Sequence, residues 1–71
     1  MSTMQSQPIY VVYVRSVHFG YIVKYRPFLD LDEAQEWLSI QSKHYSIPKG
    51  EGDLWQGDTY TAGIETWSVA V

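Results

Sequence analysis

The chain has 71 residues, no cysteine and a formal charge of −3. That length holds one small domain, and the missing cysteine excludes disulfides, thiolate–metal sites and thiol chemistry. No apolar run approaches the roughly 20 residues of a membrane helix, and no basic start followed by an apolar stretch marks a secretory signal, so a cytoplasmic protein without membrane partners is expected.

Residues 1–8 are mostly polar and unpatterned and read as a flexible tail, leaving 9–71 as the single domain. From Ile9 to Arg15 the chain reads Ile-Tyr-Val-Val-Tyr-Val-Arg, a β-branched and aromatic run suited to a pleated sheet. Tyr10, Val12 and Val14 alternate with Ile9, Val11 and Tyr13, so both faces are apolar, as in a strand covered on both sides. Ser16 to His18 is the expected turn. Phe19 to Arg26 follows as a second strand and completes an antiparallel hairpin. Pro27 has no N–H and is expected to stop the ladder.

Asp30 opens a helix: its carboxylate can accept from a free N–H of the first turn, and Glu33 stands three residues on, as in a capping box. Asp32, Glu33 and Glu36 crowd the N-terminal half, and Lys43 and His44 the last turn, as the helix dipole favours. Leu31, Ala34, Trp37, Leu38, Gln41 and Tyr45 recur at three- and four-residue spacing and make one largely apolar stripe, widened by Ile40. Ile47-Pro48 cannot continue the helix. Residues 46–58 form a long loop containing Gly50, Gly52 and Gly57, and loops of this length are often functional. Thr59 to Val71 closes the chain as a strand, with a bulge or kink allowed at Ala62-Gly63.

The order strand, strand, helix, loop, strand predicts an α+β fold: a three-stranded antiparallel sheet with one helix on one face. The first strand becomes central if the last pairs with it. One helix hides one face only. The other shows Ile9, Val11, Tyr13 and Ile22, or else the tyrosine-rich set of the second strand, and a second copy packing sheet to sheet is the simplest cover. A homodimer is therefore expected.

Chemistry is sparse. His18 and His44 lack ligand spacing, and the helical acids are explained by capping and the dipole. Glu51, Asp53 and Asp58 lack the alternation of a calcium loop. No nucleophile elbow, phosphate loop or dinucleotide fingerprint is present. Neither an enzyme nor a cofactor or metal is expected. The pI of about 5.0 and the clustering of all eight acids after residue 29 speak against direct nucleic-acid binding. Leu54-Trp55, flanked by Glu51, Asp53 and Asp58, is the candidate partner-binding segment. Trp55 either plugs the sheet edge or projects as an anchor.

Tyr10-Val11-Val12-Tyr13, Gly20-Tyr21, Phe28 with the acidic turn into Glu33-Ala34 and Trp37-Leu38, and Ile64-Glu65-Thr66-Trp67-Ser68-Val69 together resemble a family of small phage and prophage domains of unknown function. The resemblance covers roughly residues 9–38 and 60–69. The chain departs from it in the long loop and at Ser68 and Ala70, where that family tends to be acidic. It carries no functional residues over. It implies an accessory protein of a phage acting in the host cytoplasm. The expected function is non-enzymatic: steric inhibition of a host protein, such as a CRISPR-type defence effector. The alternative is a small-ligand binder or sponge with an aromatic pocket at a dimer seam.

Overall fold

The computed structural model describes residues 6–70. The elements are β1 (Ser6–Ser16), β2 (Ile22–Phe28), α1 (Leu31–His44), β3 (Trp55–Gln56) and β4 (Tyr60–Ala70). The fold is α+β with one helix on an antiparallel sheet. That sheet has four strands in the order β2-β1-β4-β3, not three. The extra strand interrupts the expected 46–58 loop. Trp55 pairs with Ala62 and Gln56 with Thr61, and a bridge from Lys49 to Trp55 closes the segment between into a tight hairpin.

Within the expected tail, Ser6 to Pro8 belong to β1, because β4 is long enough to pair with them from Ser68 to Ala70. Residues 1–5 lie outside the described residues. Val71 does as well, so the last strand is described to Ala70. The β1–β4 ladder is unbroken from Ser6↔Ala70 to Ser16↔Tyr60, with no bulge at Ala62-Gly63, where the sequence allowed a bulge or a kink. The irregularity lies instead between β1 and β2. Val14 pairs with Lys24 but Arg15 pairs with Ile22, so Val23 is the extra residue and the strand bends there.

The main-chain direction follows from two hydrogen bonds. Val17 N–H donates to the Thr59 carbonyl at 2.9 Å, and Ser16 N–H to the Tyr21 carbonyl at 2.9 Å. Alternate residues of an antiparallel strand bond to opposite neighbours. Odd-numbered β1 residues therefore bond to β4 and even-numbered ones to β2. Pro27, opposite Val11, turns its missing N–H outward to the sheet edge. That is why it sits inside β2 without stopping the ladder. The second strand starts at Ile22 and not at Phe19 because Val17 to Phe19 form the turn. Gly20 adopts φ +75°, and its N–H donates to the Ser16 carbonyl at 2.8 Å.

The helix begins at the expected Asp30 cap, but among the described residues the Glu33 side chain does not accept from Asp30 N–H, so the cap is not a reciprocal capping box. Asp30 is extended, and its Oδ1 accepts from Asp32 N–H at 2.9 Å. The other end closes without glycine. Ser46 N–H donates to the Lys43 carbonyl and Ile47 N–H to the Ser42 carbonyl, a Schellman pattern that holds Ser46 at φ +58°. Ile47 is thereby returned to the core.

Val12, Val14, Ala34, Leu38, Ile47 and Ala62 form that core, between the helix and one face of the sheet. Tyr10, Phe28, Trp37, Tyr45, Trp55, Tyr60 and Ile64 pack around it. Lys24 and Arg26 lie on this face too. They hold their charges over the rings of Trp37 at 5.8 Å and Phe28 at 5.0 Å.

Two stability changes are expected in urea unfolding. Leu38 is 2% exposed, so Leu38→Ala should cost about 2–5 kcal/mol. Ser46→Gly should stabilise by about 1 kcal/mol, since glycine carries no left-handed penalty. A neutral or destabilising Ser46→Gly would show that the serine side chain contributes more than its backbone strain costs.

Candidate interaction surface

The sheet face opposite the helix has no element of the described chain across it. The register places Ile9, Val11, Tyr13 and Arg15 of β1 on it. Tyr25 and Pro27 of β2, and Thr61, Gly63, Glu65 and Trp67 of β4, share it. The β1–β2 bulge puts Ile22 beside Arg15 on this face as well. It therefore combines the two sets that strand alternation kept apart: the Ile9–Val11–Tyr13 row with Ile22, and Tyr25 from the tyrosine-rich strand. Val11 is buried at its centre, and Ile9 and Tyr13 are half-buried. Tyr25 and Trp67 are 67% and 56% exposed.

Three local contacts hold this surface in shape. The Trp67 indole N–H donates to Glu65 Oε2 at 3.2 Å, which ties a large ring to its neighbour on the same face. The Arg15 guanidinium sits 5.5 Å from the Tyr13 ring centroid. Tyr13 in turn lies across Gly63, where a Cβ would stand 2.9 Å from the tyrosine hydroxyl oxygen. Gly63 is thus a close-approach position in a straight strand and not a kink. At one end the surface runs into the β1–β2 turn, where Phe19 and Tyr21 are exposed with centroids 5.9 Å apart.

The partner-binding residues read from the loop are brought together only in part: Leu54, Glu51 and Asp53 share one cleft, and Trp55 and Asp58 lie elsewhere. Trp55 does not project. Its pairing with Ala62 points it to the helix side, where it is half-buried against the core with the Lys49 ammonium 5.5 Å from its ring. Leu54, the next residue back, takes the opposite side and is exposed. It lines a shallow cleft of about 220 Å³ with Tyr13, Glu51, Asp53, Gly63 and Ile64. Asp53 accepts from Gln35 Nε2 at 3.2 Å, which fastens the turn to the helix. Asp58 belongs to a different place, an open cleft of about 570 Å³ where Tyr45 meets Tyr60 edge-on at 4.9 Å. The acids therefore divide between two clefts and do not surround one anchor.

The sequence does not mark Trp67 or Phe19 as contact residues, whereas Tyr21 and Tyr25 belong to the tyrosine-rich set that it does offer. The signal for Trp67 is its alternation with the even-numbered residues of the last strand, which puts it on the same side as Glu65. Only the Ile9↔Trp67 pairing says which face that alternation meets.

Among the described residues, no group of three or more His, Cys, Asp or Glu side chains is placed to hold a metal ion, and no helix is long and apolar enough to cross a membrane. Comparison with protein families, with characterised proteins and with solved structures finds no match to this chain.

The Tyr13–Gly63 contact is open to a double-mutant cycle. Gly63→Val should destabilise by about 1–3 kcal/mol through overpacking. In a Tyr13→Ala background most of that cost should vanish. Equal costs in both backgrounds would mean that the ring does not occupy the space above Gly63.

Proposed function

We propose that the protein is a non-enzymatic interaction module that docks its open sheet face on another protein and masks the surface beneath. The observation that carries this reading is Trp67, more than half exposed yet tied by its indole N–H to Glu65, at one end of an apolar face with no cover from the described chain. A preordered tryptophan loses little conformational freedom on docking, and tryptophan is enriched among residues that dominate binding energy. Tyr25 adds a second exposed ring, with a hydroxyl able to meet polar groups at a rim. Inhibition needs no chemistry: a stiff sheet held against a site excludes whatever else would bind there. The finer reading, a phage protein that blocks a host defence effector of the CRISPR type in the host cytoplasm, rests on the family resemblance and on size.

A second reading is a small-ligand binder. It draws on the open cleft of about 570 Å³ that Tyr45 and Tyr60 line together with Pro48 and Asp58, whose size falls within the usual range for ligand sites. This cleft lies at the helix C-terminus, away from the open face. Mass spectrometry of small molecules released on denaturation separates the two readings.

Affinity capture from host lysate, using the intact chain as bait, tests the leading one. A stoichiometric protein should be recovered. Trp67→Ala and Tyr25→Ala should each weaken its binding by about tenfold or more while leaving the circular dichroism spectrum unchanged. Trp55→Ala should act on stability instead, at about 2–3 kcal/mol for a half-buried ring. Undiminished capture by both face variants would remove the open face from the binding role.

A further inference from the structure

The two long edges of the sheet are built differently. The outer edge of β2 carries Lys24, Arg26 and Pro27, and Pro27 presents no donor to solvent. Cations and proline are the usual means of blunting an edge against another strand. The outer edge of β4 has no such protection. Its unpaired part runs Ile64-Glu65-Thr66-Trp67-Ser68-Val69-Ala70, free of proline and with one charge.

The main-chain groups on that edge can be counted by parity. Gly57 N–H donates to the Tyr60 carbonyl at 3.0 Å, in register with Trp55↔Ala62. Even-numbered residues of β4 therefore point their N–H and C=O groups away from β1. Ala62 meets β3. Ile64, Thr66, Ser68 and Ala70 meet no strand among the described residues. Leu54 and the turn before it, which share a cleft with Gly63 and Ile64, bound this free stretch on one side, and the end of β4 bounds it on the other.

We propose that this edge pairs with the same edge of a second copy, antiparallel about a two-fold axis at Trp67, to give one continuous sheet in which β2-β1-β4 of one copy runs on into β4-β1-β2 of the other. The self-match selects a copy of the chain over a foreign strand. Centred on Trp67, Ile64 faces the partner's Ala70 and Thr66 faces the partner's Ser68. Every free outward residue is then used, and each pair exchanges both of its hydrogen bonds. Other symmetric registers leave some of these groups unpaired. Glu65 falls opposite the partner's Val69, so the single acid of the edge meets no acid across the seam. Trp67 falls opposite the partner's Trp67 in a non-hydrogen-bonded pair, the closer of the two spacings, where aromatic cross-strand pairs stabilise most. Both helices then lie on the same side, and the two open faces merge into one surface with the tryptophan pair at its middle. Edge pairing leaves that surface accessible, so loss of the dimer and loss of partner capture are separate readouts.

Light scattering on the purified full chain should give twice 8.2 kDa, falling toward the single mass on dilution. Amide exchange in the dimer should be slow at Ile64, Thr66 and Ser68 and should accelerate on dilution, while Glu65 and Trp67, whose amides bond to β1, stay slow throughout. Thr66→Pro removes an outward N–H without touching the β1 ladder, and should leave a folded protein of 8.2 kDa. If that variant fails to fold, the exchange pattern of the unaltered chain decides. A single mass at every concentration overturns the edge dimer. So does a dimer with fast exchange at the even-numbered amides, or a Thr66→Pro protein that still doubles its mass.

Discussion

One helix cannot cover this sheet, and most of the molecule's surface character follows from that mismatch. Fourteen helical residues rise about 21 Å, whereas eleven strand residues reach about 37 Å. The helix therefore seals a patch around Val12, Val14 and Ala62 and leaves the far ends of β1 and β4 as a two-stranded arm, with no β2 beside Ser6 to Ile9. The molecule is accordingly long, 51 × 24 × 18 Å. A small core in an extended sheet leaves apolar side chains outside, and those side chains are the material for binding.

Hydrogen-bond parity organises the rest. Because even residues of β1 bond to β2 and odd ones to β4, Pro27 is harmless inside its strand and useful at its edge. The same alternation carried into β4 leaves its even residues facing outward. One edge is thus closed by residue type, whereas the other, from Ile64 onward, meets no strand among the described residues. The faces differ in the same way: Lys24 and Arg26 line the flank of the helix side, over aromatic rings, while the opposite side gathers Tyr25, Val11 and Trp67.

The two tryptophans Trp55 and Trp67 show how pairing decides the fate of like residues. Each lies in a strand with acids nearby. Trp55 shares a side with Ala62 and joins the margin of the core. Trp67 shares a side with Ile9, opposite the helix, and is left outside with Glu65 as its hydrogen-bond partner. A single step of register in either pairing would exchange these roles, since neighbouring strand residues point to opposite faces.

The sequence by itself determined the hairpin, the helix with its Asp30 cap, the apolar stripe of Ala34 and Leu38, and the closing strand. All of these are written in contacts between residues a few positions apart. It also carried the uncovered row Ile9, Val11 and Tyr13, because strand alternation is local. Only the tertiary structure decided the fourth strand, the bulge that turns Ile22 outward, the inward placement of Trp55 and the outward placement of Trp67. Each depends on which distant residue lies opposite, and a two-residue strand such as Trp55-Gln56 has too few residues to show a period of its own. Chain-local preferences specify elements; pairing across the sheet assigns their faces, and with them the surface available to a partner.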